Sequence, residues 1–479
     1  MTNARAARAV PWSNLILAMT AVLFFARMLV HVDPDLFFHL KEGGRVLSEG
    51  RFPLIEDYSY TRAGKAMVAT EWLSGAAFAA LFRAGGYPAV AAFNVLLIVA
   101  ALFLMTRVWD DGGPPEALRA LIAALAAFAF LNFALAKVQN FTFFFFSLFL
   151  YWARLWERGR RWTPWAMAAA LLPWVNLHGG FLLGWALLGG VCGRDFLKTR
   201  RPLALAPWAL GTFACFAHPN GATAFVYPIW FFFAAPSGRS MILEWLPLGP
   251  AWSATPYALL LAAFLAARTD RLPARFPWAA LVFVFLVLGL RTRKMLPFFA
   301  LGAGAAMGLA WTRAKLGRTR AGLCLAGALA LLAAIGAVES AEARALAPLG
   351  PVSDMERAFP RVAAEKAAAL FPGRRLFHPY DWGGYLVYKI APGVPVFIDG
   401  RLDPYWTLLD DYETLIRAAP GWRKLSAGYG IETALLPEGS PLAKALDADP
   451  DWKAVGTDGR AKLYARRGLK PAAVGPTGP

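Results

Sequence analysis

The chain contains eleven apolar runs, which restrict it to a membrane-embedded fold. The runs are 11–30, 87–106, 118–136, 142–155, 164–175, 181–193, 203–217, 254–267, 277–290, 295–312 and 321–337. Of the 479 residues, 58% are hydrophobic and only 17% are charged, which is too apolar for an ordinary soluble protein. Several runs are shorter than about 17 residues and would need tilted or partly buried ends. The sequence predicts an α-helical polytopic membrane protein with about eleven transmembrane helices.

Basic residues are distributed unequally between the loops that join these runs. The predicted cytoplasmic segments carry 19 Lys and Arg residues, whereas the short loops on the opposite side carry Lys137, Arg239, Arg291, Arg293 and Lys294. Because short cytoplasmic loops are enriched in Lys and Arg, the N-terminus is predicted inside. An odd number of spans then places the C-terminal region outside. The same bias explains most of the net charge of +18, so no nucleic-acid partner is expected.

Interruptions of the apolar pattern predict the domain organisation. Residues 72–82 are too short to span and predict a surface helix, and residues 176–180 divide one long apolar stretch into two helices. We predict a transmembrane domain over 1–337, with external loops 31–86 and 218–252, an extracytoplasmic α/β domain over 338–469 and a disordered tail over 470–479. The elements predicted in the α/β domain are helices 355–371 and 407–418 and strands 394–398, 431–436 and 461–465.

Two aspartates, Asp33 and Asp35, directly follow the first predicted span. Asp33 is a favourable N-cap, Pro34 a favourable first helical residue, and Asp35 would lie where the helix dipole favours an anion. Capping alone would explain this pattern, but His39 and Glu42 share the Asp35 face at i+4 and i+7, which a cap does not require. A carboxylate there could act as a general base, or Asp33 and Asp35 could hold Mg²⁺ or Mn²⁺. The other face is predicted to contact lipid and carries Leu36, Phe37, Leu40 and Leu47.

Further polar residues of the predicted external segments could converge on the same place. Glu56, Asp57 and Glu71 lie in the first external loop, either as solvated loop residues or as additional carboxylates of a site. Histidines also fall on this side, and no two of them have a spacing typical of zinc ligands. The histidines predicted to line a polar cavity are His39, His178 and His218.

A cluster of three cations departs from the charge distribution of the loops. Arg291, Arg293 and Lys294 lie between two predicted spans on the side where basic residues are otherwise scarce. They could be interfacial side chains that reach toward water. Alternatively, they could clamp the phosphate of a lipid head group, because guanidinium groups match phosphate oxygens in geometry and charge.

Two polar and aromatic segments stand out in the C-terminal region. Residues 379–385 include Tyr380, Asp381 and Trp382, and residues 399–405 include Asp399 and Arg401. Turn chemistry with packed aromatic rings would explain both segments. The alternative interpretation is a rim that contacts a ligand such as a sugar.

These motifs together resemble those of the GT-C superfamily of membrane glycosyltransferases. Asp33-Pro34-Asp35 is similar to the acidic motif of that family's first external loop, and residues 70–109 resemble its surface helix, turn (Gly85-Gly86-Tyr87) and long second span. Residues 380–385 are similar to the WWDYG motif of oligosaccharyltransferase catalytic subunits, although the aromatic order differs and a glycine is inserted. Residues 136–140 lie where many members carry a second polar cluster, and this chain has no acid there.

The resemblance implies an enzyme that transfers a sugar from a polyprenyl-phosphate-linked donor to an envelope acceptor, at the outer face of a bacterial inner membrane. Asp33 or Asp35 would be its catalytic base or a metal ligand, and a divalent metal ion is the one cofactor expected. The expected partners are the polyprenyl-phosphate lipid and the membrane. Two other functions stay open, a non-catalytic assembly subunit for envelope polysaccharide and a transporter of lipid-linked sugars. A transporter would be expected to show an internal repeat, and none is evident in the sequence.

Overall fold

The computed structural model describes residues 11–109, 113–234, 243–249, 255–267, 272–273, 275–312, 314–349 and 354–472. The predicted tail from residue 473 and parts of the predicted loop 218–252 lie outside these ranges. The helices of the N-terminal region are α1 (Trp12–Val30), α2 (Asp35–Glu49), α3 (Trp72–Arg107), α4 (Glu116–Phe130), α5 (Gln139–Glu157), α6 (Thr163–Leu177), α7 (Phe181–Thr199), α8 (Ala206–Ala214), α9 (Ala222–Ala234), α10 (Thr255–Leu265), α11 (Trp278–Arg291), α12 (Leu296–Ala310) and α13 (Arg318–Leu346).

Each of the eleven apolar runs coincides with one of these helices. By length and composition, four helical stretches among the described residues can cross a membrane unaided, namely 12–30, 72–107, 116–133 and 318–346. Shorter apolar helices of 10–17 residues occur at 202–214, 222–233, 255–265 and 278–291. At 1.5 Å per residue, such helices are shorter than the ~30 Å hydrocarbon core. The four long apolar helices make this a helical membrane protein. Helix α9 is apolar, whereas the sequence predicted an external loop at its position.

Both predicted breaks in the helical pattern are present. α3 is kinked at Gly85 and Gly86, and Gly86 has a φ of 65°, a conformation that favours glycine. The kink separates the segment predicted as a surface helix from the segment predicted as the second span. The second break lies between Leu177 and Phe181, whereas Pro173 lies inside α6.

Helices α2 and α3 make a close contact through their glycines. A Cβ atom at Gly43 would lie only 1.9 Å from the carbonyl oxygen of Gly75, so the two backbones can approach only without side chains there. The neighbouring Gly44 differs, because the nearest atom to a Cβ built on it is Arg83 Nη2 at 3.7 Å. This contact holds α2, and with it the first acidic motif, against α3.

Replacement of Gly43 by alanine is expected to lower the melting temperature, because the new methyl group would collide with the α3 backbone. Gly44→Ala is the matched control in the same helix. It should leave the melting temperature unchanged or raise it, since alanine is favoured over glycine by up to about 1 kcal/mol in a helix interior. Thermal unfolding in detergent measures both variants. Equal melting temperatures for Gly43→Ala and the parent would contradict the α2–α3 contact.

The C-terminal region combines short helices with one small sheet. Its elements are α14 (Arg361–Leu370), β1 (Leu376–Phe377), α15 (Gly383–Lys389), α16 (Leu409–Ile416), α17 (Trp422–Gly428), β2 (Thr433–Pro437), α18 (Pro441–Asp447), β3 (Trp452–Thr457) and β4 (Ala461–Arg466). The strand order is β1-β2-β4-β3, with β1 parallel to β2 and the other pairs antiparallel. Two predictions need correction, because residues 394–398 form only isolated bridges of Val396 to Ser59 and Leu376, and the helix predicted from 355 begins at Arg361.

The C-terminal region packs directly on α2, which corrects the prediction that the apolar face of α2 contacts lipid. Phe37 is fully buried, and its ring lies 4.8 Å from that of Phe359 and 5.2 Å from that of Tyr385. A Cβ atom at Gly384 would lie 2.6 Å from the carbonyl oxygen of Pro34. The glycine inserted into the 380–385 motif therefore permits α15 to sit against the start of α2. Leu47 alone of the four predicted lipid-facing residues is exposed, at 45%.

Candidate active site

The start of α2 is fixed by Asp33. Its Oδ1 atom accepts a hydrogen bond from the backbone N–H of Asp35 at 3.0 Å, which confirms the predicted capping role. Its Oδ2 atom lies 2.9 Å from Nζ of Lys137, and only 3% of the residue is exposed. Asp33 therefore both starts α2 and binds a cation from the segment between α4 and α5.

Lys137 is shared between two carboxylates that come from distant parts of the chain. Its ammonium group contacts Asp33 and also Glu244, which lies between α9 and α10. Burial alone would lower the pKa of Lys137, but Asp33 and Glu244 raise it well above the ordinary value. Burial likewise opposes ionisation of Glu244, and Lys137 outweighs that effect and lowers the pKa of Glu244. Lys137 and Glu244 are therefore paired in their charged forms, whereas burial raises the pKa of Asp33 although Lys137 acts in the opposite direction.

Asp35 differs from Asp33 because its carboxylate is unpaired. Among the residues that the structure describes, none donates a hydrogen bond to this carboxylate or forms an ion pair with it. Burial and then the charge of Asp33 raise the pKa of Asp35 well above the ordinary value. A Cβ atom at Gly400 would lie 1.9 Å from Asp35 Oδ1, so only glycine fits beside it. Asp35 is thus a strengthened base with a free carboxylate.

Glu71, the residue before α3, lies between two histidines. Oε2 of Glu71 is 3.5 Å from His39 Nε2, and Oε1 is 3.5 Å from His178 Nε2. Burial raises the pKa of Glu71 to about 7, although Lys294 and Lys137 act in the opposite direction. Burial lowers the pKa of both histidines, that of His39 to about 3, so both rings are neutral. A carboxyl group that titrates near neutrality can exchange a proton with a ligand.

The orientation of His178 follows from its hydrogen bonds. Its Nδ1 atom accepts from the Gly180 N–H at 3.0 Å and lies 2.8 Å from the hydroxyl of Thr142. Because Nδ1 accepts from the Gly180 N–H, the Thr142 hydroxyl donates to Nδ1, and it accepts from Trp174 Nε1 at 3.0 Å. The hydrogen of the neutral ring must then lie on Nε2, which faces Glu71.

The three clustered cations have different contacts. Lys294 faces the acidic residues, since burial raises the pKa of Glu71 and opposes ionisation of Glu244 while the charge of Lys294 acts in the opposite direction at both. The Nζ atom of Lys294 lies 5.2 Å from the ring centre of Trp245. Arg293 instead donates a hydrogen bond to the carbonyl oxygen of Pro247 at 3.1 Å. Arg291 is exposed at the end of α11. We call the group that includes Lys294 the acidic mouth; its members are Asp33, Asp35, His39, Glu71, Lys137, His178, Glu244 and Lys294.

Solved proteins share this architecture. AglB, the oligosaccharyltransferase of Archaeoglobus fulgidus, solved with an inhibitory peptide and a dolichol-phosphate, matches with a TM-score of 0.59 and 12% identity, over 89% of this chain and 69% of its own. ArnT from Cupriavidus metallidurans, solved with undecaprenyl phosphate, matches with a TM-score of 0.52 and 15% identity, over 95% and 98%. Both are GT-C glycosyltransferases. The chain has the GT-C fold. No protein-family model and no curated protein sequence matches the chain.

In this GT-C fold, the C-terminal motif contributes two residues next to the acidic mouth. Burial and the nearby Asp35 raise the pKa of Tyr380 well above the ordinary value. Burial and Asp33 raise the pKa of Asp381, whereas Lys137 lowers it. Trp382 instead packs with the apolar core of the C-terminal region. Tyr380 and Asp381 are therefore the part of the motif that a ligand in the mouth could contact.

The other predicted residues of the C-terminal region form a separate buried cluster around Arg401. Its Nη2 atom lies 2.6 Å from both Asp399 Oδ2 and Glu56 Oε2, and its Nη1 atom lies 2.8 Å from Glu42 Oε1. Tyr405 donates a hydrogen bond to Asp399 at 2.9 Å. Two of these three carboxylates belong to the N-terminal region, so the cluster joins it to the C-terminal region.

Two further predicted site residues have structural roles. Asp57 lies away from the acidic mouth and pairs with Arg45 at 2.8 Å and with Arg51 at 3.4 Å. His218 accepts the Asn220 N–H on Nδ1 and donates from Nε2 to the carbonyl oxygen of Ala69, two residues before Glu71. His218 thus supports the segment that carries Glu71.

The sequence interpretation missed the roles of Lys137 and Glu244. In the sequence, Lys137 stands out as one of the few basic residues on its side and as part of the polar segment 136–140, and Glu244 belongs to no motif. A lysine and an acid 107 residues apart carry no local pattern that would pair them. The one available signal was a single lysine in a segment otherwise depleted of basic residues.

The acidic mouth does not fit a metal ion held by Asp33 and Asp35, the Mg²⁺ or Mn²⁺ that the sequence suggested. Both oxygens of Asp33 are engaged, one by the Asp35 N–H and one by Lys137. A cation bound at this carboxylate would have to displace an ammonium group. The position that a metal ion would take next to Asp33 is filled by a side chain.

A second group of possible metal ligands also contacts a side-chain cation. His31, Glu339 and Glu342 bring one ligand atom each to within 4.8 Å of one another, near the ends of α1 and α13. Arg27 donates from Nη1 to both glutamates at 2.7 Å. The guanidinium group already neutralises these carboxylates, and the cluster joins α1 to α13.

Proposed function

We propose that this protein is a membrane glycosyltransferase that transfers a sugar from a polyprenyl-phosphate-linked donor to an envelope acceptor. The observation that carries the proposal is the unpaired, pKa-raised carboxylate of Asp35 beside the ammonium groups of the acidic mouth. A base next to cations suits a reaction in which a hydroxyl loses a proton while a phosphate leaves. The GT-C fold supports the same class of reaction.

The proposed reaction uses the acidic mouth as follows. Asp35 takes the proton of an acceptor hydroxyl, and the hydroxyl oxygen forms a bond to the anomeric carbon of the sugar. The bond from that carbon to the phosphate oxygen breaks, and the lipid phosphate leaves with the bonding electrons. Lys294 and Lys137 stabilise the charge on the leaving phosphate. Attack opposite the leaving group inverts the anomeric centre.

We also propose that the acidic mouth opens on the outer side of a bacterial inner membrane, with eleven spans and a cytoplasmic N-terminus. The distribution of basic residues supports this orientation. The C-terminal region would be on the same side as the mouth, since Gly384 packs on Pro34 and Arg357 donates to the carbonyl oxygen of Val30 at 2.6 Å.

Lipid-phosphate binding tests the assignment of the donor site. Lys294→Ala is expected to weaken binding of undecaprenyl phosphate by about tenfold or more, because a hydrogen bond to a charged group contributes about 1.5–3 kcal/mol. Arg291→Ala is the matched control from the same cluster and should bind like the parent. Binding is measured on purified protein in nanodiscs. Equal affinity of Lys294→Ala and the parent would remove Lys294 from the donor site.

Turnover separates the enzyme from a non-catalytic assembly subunit. The purified protein is incubated with a panel of undecaprenyl-phosphate-linked sugars and a membrane extract as acceptor source. Mass spectrometry then follows release of undecaprenyl phosphate. A glycosyltransferase releases it in proportion to enzyme, whereas lipid binding with no release for any member of the panel contradicts the proposed function.

A further inference from the structure

We propose that Lys137 is a built-in cation that takes the place of a divalent metal ion at the acidic mouth, and that its removal uncovers a metal-binding site. This inference rests on the proposed function for its catalytic meaning only. The expected metal does not fit beside Asp33, and the group that excludes it is a specific side chain. The protein should therefore work without a divalent ion and should gain affinity for one when Lys137 is replaced.

Three separate parts of the chain build this position. Asp33 follows α1, Lys137 precedes α5, and Glu244 lies between α9 and α10, and the two carboxylates contact the same nitrogen. The side chain of Asp33 is 4% exposed, that of Lys137 22% and that of Glu244 28%. An ammonium group has three hydrogens, so two carboxylates leave one donor for a ligand. Lys137 can therefore keep its structural partners while it contacts a donor phosphate.

The charge balance of the acidic mouth explains why a cation is required there. The carboxylates of Asp33 and Glu244 contact the ammonium group of Lys137, and those of Asp35 and Glu71 lie near them. Like charges at short distance in a partly buried site repel strongly. Loss of Lys137 would leave Asp33 and Glu244 facing each other across the space that its nitrogen occupied.

That space has the chemistry of a hard-metal site once the lysine is gone. Mg²⁺ and Mn²⁺ prefer carboxylate oxygens, and Mg²⁺ binds them at about 2.0–2.1 Å. Two oxygens that each contact one ammonium nitrogen need only a small shift to bind one ion at its position. Asp35, which has a free carboxylate, lies two residues from Asp33 and is available as a further ligand.

The test compares Lys137→Met with Lys389→Met in the full-length protein. Lys389 is the matched control because it too contacts two carboxylates, Glu356 at 3.0 Å and Glu365 at 3.2 Å, in a more exposed position. In Mn²⁺, the melting temperature of Lys137→Met should rise by several degrees, whereas the parent, Lys137→Arg and Lys389→Met should change by less than about 1 °C. Turnover by the parent should survive EDTA.

Several outcomes overturn the inference. Tight Mn²⁺ binding by the parent, measured by electron paramagnetic resonance, would show that Lys137 does not exclude the ion. Loss of parent turnover in EDTA with recovery in Mn²⁺ would show the same. A folded Lys137→Met that gains no more from Mn²⁺ than Lys389→Met would exclude the uncovered site. If Lys137→Met does not fold, Mn²⁺ added during its purification must restore folding, and failure to do so counts against the proposal.

The metal measurements do not depend on sugar transfer, so the two proposals can fail separately. If no donor is turned over but Lys137→Met binds Mn²⁺, the built-in cation stands and the proposed function fails. If the parent is active and dependent on a metal ion, the proposed function stands and the built-in cation fails.

Discussion

Replacement of Asp35 by asparagine is expected to lower turnover by about 10²–10⁴-fold, the usual contribution of a general base. The protein should still fold, because the Asp35 carboxylate makes no hydrogen bond or ion pair within the described residues, and the helix start depends on its backbone N–H. Asparagine keeps the size of the side chain but cannot accept the proton. Release of undecaprenyl phosphate measures turnover, and thermal unfolding measures folding.

Glu49→Gln is the matched control for this experiment. It makes the same acid-to-amide change at the other end of α2, where Glu49 is exposed and pairs with Arg45 at 3.8 Å. Its turnover should equal that of the parent. If Asp35→Asn keeps more than about a tenth of parental turnover, Asp35 is not the base. Asp33→Asn should differ from both, since it retains the cap but removes the ionic partner of Lys137, and should lower stability and turnover together.

Replacement of Arg401 by methionine is expected to destabilise the protein by about 3–5 kcal/mol, the range found when one partner of a buried ion pair is removed. Arg401 is 4% exposed in its side chain and neutralises Glu42, Glu56 and Asp399. Without it, three buried carboxylates lose their cation. Thermal unfolding in detergent and protease sensitivity of residues 31–71 should both report the loss.

Arg374→Met provides the control in the same region. Arg374 pairs with Glu432 at 2.9 Å, but its side chain is 47% exposed, so the change should cost less than about 1 kcal/mol.

Glu42→Gln should act in the opposite direction to Arg401→Met. Burial raises the pKa of Glu42 to about 7 from 4.5, so stability is lost as the pH rises between these values. The amide variant should lack that loss and melt higher at pH 8. A drop for Arg401→Met no larger than that of Arg374→Met would contradict the buried cluster.

Much of the fold could be predicted from the sequence, because it depends on local patterns. Apolar runs located the helices, and Gly85-Gly86 and residues 176–180 located their breaks. The lengths of the helices could be predicted less well than their positions, since the apolar run at 203–217 contains an α-helix of only nine residues, α8. The burial of Phe37 could not be predicted, because an amphipathic helix shows that it has an apolar face but not which surface covers it.

The candidate site could be predicted only in part. Asp33 and Asp35 could be predicted because acids at the mouth of a membrane span are unusual in themselves, and Glu71 could be predicted only as a candidate because it lies in the same external loop. Arg401 and Asp399 could be selected as unusual because they lie in a dense polar segment. The sequence does not show that Arg401 pairs with buried carboxylates, those of Glu42, Glu56 and Asp399. Lys137 could not be distinguished from a topology-determining lysine, since its meaning depends on Glu244. Pairing over such distances leaves no trace in one sequence.

The Arg401 cluster also has a consequence for how the chain is made. Glu42 and Arg401 are separated by 359 residues, so at about 5–20 residues per second the ribosome needs roughly 20–70 s to pass from one to the other. Throughout that interval Glu42 and Glu56 have no guanidinium partner, and α2 has no Phe359 or Tyr385 to cover Phe37. The segment that carries Asp35 therefore reaches its final environment only when the last quarter of the protein has been synthesised, so in a nascent chain α2 lacks the contacts that cover it.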